Sequence, residues 1–377
     1  MIVRVDFNVP IGEDGRITDD TRITSALPTI NHLTKSGAQV LLISHFGRPK
    51  GAADPSLSLA PIAVALENYL DSKVLFATNC IGGPVEQTLR NMNPGDVALL
   101  ENVRFHTGET SNHPDFARDL AAPAQVFVND AFGACHRKHA SVVGLAKLMP
   151  AYPGFLVEKE VAAFEKVLDD PDRPLVAIVG GAKISTKIDV LKNLVGRFDE
   201  LLLGGGMANT FLAARGLDMA SSLVEENLLN VAREIEARTS DHGSDLVLPV
   251  DGVMAPSLEP GSQVEVHSVD DVPRDWLMLD IGPETIRLFD AHIRRARTIV
   301  WNGPMGVFES DAFAEGTKSV ARAVARSEAF SVVGGGDSVA AIKTLGIEDA
   351  ISHISTGGGA SLEMLVGRAL PGIAALL

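Results

Sequence analysis

The chain has 377 residues, 46% hydrophobic and 21% charged, with 35 Gly and 20 Pro, a globular composition long enough for two domains of ~100–200 residues each. Its two cysteines, Cys80 and Cys135, are too few for a disulfide framework or a tetrahedral zinc site, and a formal net charge of −15 argues against a general nucleic-acid binder. No apolar run reaches the ~18 residues that span a bilayer, and no basic segment precedes an apolar one after Met1, so a soluble protein of the reducing cytoplasm is expected.

The first half alternates short β-rich runs, at residues 2–6, 39–44, 73–76, 97–101 and 125–130, with helical stretches, as buried parallel strands do. The pattern breaks at Pro150, Pro153 and Gly154. Val157, Val161, Phe164 and Leu168 then recur at helical spacing until Asp169, Asp170 and Pro171 end the helix. The domain junction is placed there. The second half repeats the alternation, with strands at residues 175–179, 200–203, 245–249, 277–280, 297–301 and 330–333, most of them running into glycines. The expected fold class is α/β, with two doubly wound parallel-sheet domains joined by a hinge helix.

In such sheets ligands bind at the carboxyl ends of the strands. Gly180 with Gly181, the run Gly204, Gly205 and Gly206, the run Gly334, Gly335 and Gly336, and the run Gly357, Gly358 and Gly359 are therefore expected to share one edge. Glycine-rich helix starts offer unobstructed N–H groups to phosphate, which suits a polyphosphate. A dinucleotide fingerprint is absent, because Gly204 and Gly206 are followed by Asn209, and Gly334 and Gly336 by Val339. Neither a G-x-x-x-x-G-K-[ST] loop nor the signature set of protein kinases is found.

Lys183 and Lys187 lie four residues apart after Gly180 and Gly181, so a helix starting there would present both ammonium groups on one face near its positive end, an arrangement that an anion offsets. Asp337 could hold Mg2+ against nucleotide phosphates and Ser338 could donate to them; an N-cap is the rival reading for both. In the first half, Asp6 and Asn8 end the first strand, His45 and Arg48 follow the second, and Arg104 and Arg137 follow the fourth and fifth, with Arg22 at a helix start. Basic groups at successive strand ends converge on one anion, here a small acid carrying carboxylate and phosphate, with Asp6 and Asn8 accepting from its hydroxyl.

The motifs Arg4-Val5-Asp6-Phe7-Asn8-Val9-Pro10, Ser44-His45-Phe46-Gly47-Arg48-Pro49, Leu100-Glu101-Asn102-Val103-Arg104-Phe105, Gly180-Gly181-Ala182-Lys183, Trp301-Asn302-Gly303-Pro304 and Gly334-Gly335-Gly336-Asp337-Ser338 occur in one order. In these the chain resembles the phosphoglycerate kinases over nearly its whole length. The resemblance implies reversible phosphoryl transfer between 1,3-bisphosphoglycerate and ADP, giving 3-phosphoglycerate and MgATP, by a monomer that binds neither nucleic acid nor membrane. It places Asp6, Asn8, Arg22, His45, Phe46, Gly47, Arg48, Arg104 and Arg137 on the triose acid, with Arg22 also near the transferring group. Lys183 and Lys187 would meet the nucleotide phosphates, and Lys187 would follow the phosphoryl group. Gly335, Gly336 and Ser338 would bind phosphate oxygens, Asp337 Mg2+, and Glu309 the ribose; Gly334 would also belong to the nucleotide site, and Gly204, Gly205, Gly282, Asn302 and Pro304 would line the nucleoside pocket.

The implied domains are an acid-binding domain (1–155), a hinge helix (156–168) whose closing brings Arg22 and Lys187 to one phosphoryl group, a nucleotide domain (169–360), and a tail (361–377) returning to the first domain. Family members usually carry roughly 15 further residues ahead of the first strand, about three strand lengths. The competing expectation is a nucleotide-binding relative whose turnover is impaired by that difference. Ser338 and Thr186 stand where many members have Thr and Asp, and Cys135 is expected to be a packed small residue.

Overall fold

The computed structural model describes residues 1–12, 15–70 and 72–376. The chain divides into two compact units, one of Met1–Ala162 together with the segment from Ala369 onward, the other of Ala163–Arg368.

The first unit is built on β1 (Ile2–Arg4), β2 (Val40–Ile43), β3 (Val74–Ala77), β4 (Val97–Leu100), β5 (Phe127–Asn129) and β6 (Ala151–Pro153), all parallel in the order β3-β4-β2-β1-β5-β6. Parallel strands need crossovers, supplied by α1 (Thr21–Lys35), α2 (Ala60–Leu70), α3 (Gly83–Arg90), α4 (Thr107–Thr110) and α5 (Pro114–Ala121). The continuous apolar runs follow from burial on both faces. Val3, Val40, Leu42, Val97 and Leu99 join one core with Ile23 and Ile30 of α1, while Ile2, Leu41, Ile43, Ala98 and Leu100 join another with Phe116 and Leu120 of α5. Pro153 lacks a donor and is tolerated because β6 is an edge strand, which is why the sequence there reads as a break rather than a strand. Helix α6 (Phe155–Leu168) follows, and the boundary between the units falls inside it.

The second unit carries β7 (Leu175–Val179), β8 (Glu200–Leu203) and β9 (Asp245–Val247), with α7 (Ile188–Leu194), α8 (Gly205–Ala214) and α9 (Leu229–Asp241) between them. Beyond these come β10 (Asp251–Ala255), β11 (Glu265–Ser268), β12 (Leu277–Ile281), α10 (Pro283–Arg295), β13 (Thr298–Asn302), α11 (Glu315–Arg326), β14 (Phe330–Gly334), α12 (Gly336–Leu345), β15 (His353–Ile354) and α13 (Gly359–Leu365). Six strands form a parallel sheet in the order β15-β14-β13-β7-β8-β9. Residues 277–280, expected in that sheet, belong instead to a separate antiparallel sheet ordered β11-β10-β12. Its other two strands escape sequence reading because β10 opens on Asp251 and Gly252 and β11 alternates exposed with half-buried residues.

Within the segment from 361 onward, α13 ends inside the second unit, whereas α14 (Pro371–Ala374) belongs to the first, where Gly372 N donates to Cys135 O at 2.8 Å. Leu377, the end of the expected tail, lies outside the described residues. Cys135 is fully buried beside that contact, its thiol pushed up to about 12 by burial, as a packed small residue rather than a reactive one. Among the described residues no helix is long and apolar enough to cross a membrane.

Candidate active site

In the first unit the parallel order brings the carboxyl ends of β1, β2, β4 and β5 to one edge, and the loops leaving them carry the basic residues. Arg22, on the first turn of α1, meets Asp6 Oδ2 at 3.2 Å and donates to the carbonyl of Asn8 at 3.0 Å. Asn8 joins two loops, its Oδ1 accepting from Gly47 N at 2.9 Å. Arg104 then donates to Gly47 O at 2.6 Å. The loop carrying His45, Phe46 and Gly47 is thus tied from both sides. Asn102 completes the clamp, accepting from Phe46 N and donating to Phe46 O and Leu57 O.

The electrostatics are those of an anion receptor. Burial first, then the charges of Arg137 and Arg4, lower Arg104 to about 10, and burial with Arg48 and Arg22 lowers Arg137. Arg137 Nε also donates to His136 Nε2 at 3.1 Å. Arg104 Nε is buried without a hydrogen-bond partner among the described residues, and so is Asp6 Oδ1. A buried guanidinium donor left open is costly unless a ligand fills it. Arg48 is exposed. His45 is buried and its pKa is driven well below the ordinary 6.5, by burial first and then by Arg4, Arg104, Arg137 and Arg22. Its Nδ1 lies 3.8 Å from Asp6 Oδ1, but a neutral ring makes no ion pair there. The sequence-identified residues Asp6, Asn8, Arg22, His45, Gly47, Arg104, Arg137 and Arg48 therefore gather into one cluster.

In the second unit the residues after β7, β8, β13 and β14 are tied together by main-chain N–H groups. Gly205 N donates to Met305 O at 2.9 Å, Met207 N to Gly181 O at 3.0 Å, and Gly303 N to Ser338 Oγ at 2.7 Å. Gly303 has φ +99°, and a Cβ there would lie 2.3 Å from Gly180 O, so only glycine closes this contact. Pro304 follows in the same loop, its carbonyl against Gly180. Gly335 N-caps α12, Gly336 faces open space, and Asp337 stands exposed in the first turn. Gly334 packs against Ser355 and Ser361, which bring the run Gly357, Gly358 and Gly359 to the same edge. Asn302 lies beneath Gly335, with Nδ2 buried and unpartnered among the described residues.

Two local expectations change. Lys183 and Lys187 do not share a helix face: Glu225 takes Ser185 N and Oγ, a 3-10 turn forms over Ile184–Thr186, and α7 starts only at Ile188. Lys183 is left exposed, while Lys187 turns inward, donating from Nζ to Gly180 O at 2.7 Å and Asn302 O at 3.0 Å. Burial lowers Lys187 to about 8, against the opposing charge of Asp337. Neither Asp337 nor Ser338 caps α12 by a side-chain bond; Ser338 Oγ accepts from Gly303 instead. Gly282 and Glu309 belong to a neighbouring region: Gly282 begins α10 against the Asp251 carboxylate, and exposed Glu309 follows Val307, whose N–H donates to Leu279 O at 2.8 Å.

Sequence reasoning left Arg4, Asn102, Glu109 and Ser141 without roles. The available signal was a charged residue in the apolar run Ile2-Val3-Arg4-Val5, where an arginine has to be paired.

A family model described as phosphoglycerate kinase matches residues 1–368. The chain is 53% identical over 376 residues to the phosphoglycerate kinase of Moorella thermoacetica, covering 100% of this chain and 95% of the relative. It is 54% identical over 376 residues to that of Rubrobacter xylanophilus, with the same coverages. Among solved structures, the phosphoglycerate kinase from Coxiella burnetii is similar with a TM-score of 0.90 and 41% identity, covering 100% of this chain and 95% of the other.

Proposed function

The chain belongs to the phosphoglycerate kinase family, and from that premise we propose that its first unit holds the triose acid and its second unit the nucleotide. The reaction is phosphoryl transfer between a nucleotide and the carboxyl group of 3-phosphoglycerate. One observation carries the assignment of the acid: in a chain of net charge −15, Arg22, Arg104, Arg137 and Arg48 act electrostatically on one another or on one buried histidine. Only an anionic ligand rewards such crowding.

In this reading Arg104, Arg137, Arg48 and His45 bind the carboxylate and phosphate of the acid. Asp6 accepts from its hydroxyl, Asn8 and Gly47 shape the loop, and Phe46 packs beneath it. Arg22 neutralises charge on the transferring group from the acid's side. Lys187 does so from the nucleotide's side, leaving Gly180 O and Asn302 O to follow the phosphoryl group, and Lys183 meets the outer phosphates. The N–H groups of Gly335 and Gly336, with the Ser338 hydroxyl, donate to phosphate oxygens at the start of α12. Gly204, Gly205, Gly282, Asn302, Pro304 and Glu309 line the nucleoside side. An acyl phosphate is already activated, so the protein's task is positioning, charge neutralisation and exclusion of water rather than strong base catalysis.

Mg2+ fits this arrangement. Among the described residues no group of three or more His, Cys, Asp or Glu could hold a metal, so the ion's ligands would be phosphate oxygens and the single carboxylate of Asp337, as Mg2+ at nucleotides prefers. When bound it would neutralise phosphate charge. Since one chain carries residues for both substrates, a monomer is the proposed working unit, and two buried free thiols suit a reducing cytoplasm.

ATP-dependent phosphorylation of 3-phosphoglycerate, followed by coupled reduction of the acyl phosphate, tests the reading. Turnover that requires Mg2+ is expected. Nucleotide binding with no turnover in a folded sample would overturn it in favour of a non-catalytic relative.

A further inference from the structure

Arg4 closes β1 and is 1% exposed. Its guanidinium directs its donors into the protein: Nε to Ser141 Oγ at 2.9 Å, Nη1 to the Val5 carbonyl, and Nη2 to His45 Nδ1 at 2.9 Å. The chain of bonds continues behind it. Ser141 Oγ donates to Glu109 Oε1 at 2.6 Å and Ser141 N to Oε2 at 2.9 Å, while His139 Nδ1 stands 3.4 Å from Oε1. Glu109 is fully buried; burial alone would raise its pKa, but His139, Arg4 and Ser141 hold it below the ordinary value, so it is the anion that balances Arg4.

An arginine has only donors and keeps its proton. The His45 nitrogen facing it must therefore be an acceptor, which leaves the imidazole proton on Nε2. The other charged groups around the ring are Asp6 beyond β1, Arg22 on α1, and Arg104 and Arg137 beyond β4 and β5. The four arginines, Arg4 included, all disfavour a second proton.

We propose that Arg4, held by Ser141 and Glu109, is a positioning residue that fixes His45 as a neutral Nε2–H donor aimed at an anionic oxygen of the triose acid. The proposal rests on the placement of His45 on the acid. It gives His45 a part different from that of its cationic neighbours. The ring supplies one oriented hydrogen bond whose strength does not titrate across the neutral range, whereas a histidinium would lose its charge near the ordinary value of ~6.5. The orientation is set before substrate arrives, so less ordering is required on binding.

The test is nitrogen NMR of the full chain labelled at histidine, with the His45 signals identified by their loss in His45→Gln. Between pH 6 and 8 the unmodified protein is expected to show one neutral tautomer, protonated at Nε2, and a shift of that nitrogen when 3-phosphoglycerate saturates. Ser141→Ala is expected to mix the tautomers or restore titration, and to raise KM for 3-phosphoglycerate about tenfold with kcat within about twofold, one charge-assisted bond's worth; Ser141→Thr, which keeps the hydroxyl, is expected to restore both. Arg4→Met should do the same more strongly if it folds. A proton on Nδ1, or a doubly protonated ring at pH 7 in the unmodified protein, overturns the proposal outright. An Nε2-protonated ring whose signal ignores saturating 3-phosphoglycerate instead overturns the placement of His45 on the acid, and the role with it.

Discussion

Lys187 Nζ donates to the carbonyl oxygen of Gly180 at 2.7 Å, across a glycine loop whose neighbours carry the proposed phosphate site. The ammonium is held by neutral carbonyls that a phosphate oxygen can replace with a charged acceptor. Lys187→Ala should therefore lower kcat on the order of 10²–10³-fold, the loss seen when one preorganised charge-stabilising donor is removed, while nucleotide KM changes little. The pH dependence has a definite sign. With its pKa lowered to about 8, Lys187 is charged below pH 8 and neutral above. Hence kcat/KM should fall as pH rises through about 8, and kcat should hold to higher pH, because bound phosphates favour the ammonium. Steady-state kinetics across pH 6.5–9.5 measure both; an unchanged kcat in Lys187→Ala would remove the lysine from the transfer step.

Arg48 is exposed at the end of the loop anchored by Asn8, Asn102 and Arg104. A guanidinium free of the core contributes to ligand binding rather than to folding. Arg48→Ala is expected to raise KM for 3-phosphoglycerate by roughly ten- to a hundredfold, the range for losing a charge-assisted bond, with kcat reduced far less. The unfolding free energy from urea titration should stay within about 0.5 kcal/mol of the parent. Equal effects of Arg48→Ala and Lys187→Ala on nucleotide affinity would sink the division of labour between them.

The sequence exposes the parallel sheets and the basic cluster for the same physical reason. Strands buried on both faces read as apolar runs, and the residues just past their ends, Asp6, His45, Arg104 and Arg137, are those a parallel sheet gathers on one edge. What escapes is decided by contacts distant in sequence. Glu225 delays the start of α7 by holding Ser185, forty positions away, and so separates Lys183 from Lys187. Likewise Ser338 Oγ accepts from Gly303 N, which makes an apparent helix cap a tie between loops. Short strands such as β10 and β11 carry too few apolar residues to be told from loops.

Two glycines of the second unit should respond differently to the same methyl group. Gly303, at φ +99° with a virtual Cβ 2.3 Å from Gly180 O, has no room for it. Gly303→Ala should destabilise the protein by about 2–4 kcal/mol, strain and overlap together. A Cβ on Gly336 meets nothing within 4 Å, so Gly336→Ala should leave the unfolding free energy unchanged or raise it by up to about 1 kcal/mol. Its cost should fall on nucleotide KM, because the methyl occupies the approach to the N–H groups of α12. Paired denaturation and kinetic measurements decide. A Gly336→Ala enzyme with parental nucleotide KM would mean that phosphate does not lie over this helix start.

Asp130, at the end of β5, accepts from the N–H of Leu156 at 2.9 Å and of Val157 at 3.4 Å, so its carboxylate closes the start of α6. Its Oδ2 is buried without a partner among the described residues. Burial raises its pKa from 3.8 to about 6, with Glu158 adding to the rise and the bonds from Thr29, Val157 and Leu156 opposing it. Between about pH 4 and pH 6 the folded state therefore keeps a proton that the unfolded chain has released. This carboxyl's contribution to the unfolding free energy therefore falls as pH rises through that window and levels off above 6. Asparagine preserves the accepting Oδ1 and removes the buried charge. Asp130→Asn should thus remove this component of the fall between pH 4 and 6 and stabilise the protein at pH 7, by up to on the order of 3 kcal/mol at 1.36 kcal/mol per pKa unit. Urea unfolding at pH 4.5 and pH 7 reads the difference directly. A variant less stable than the parent at pH 7 would mean that the charge at the helix start outweighs its desolvation, reversing the sign argued for this carboxylate.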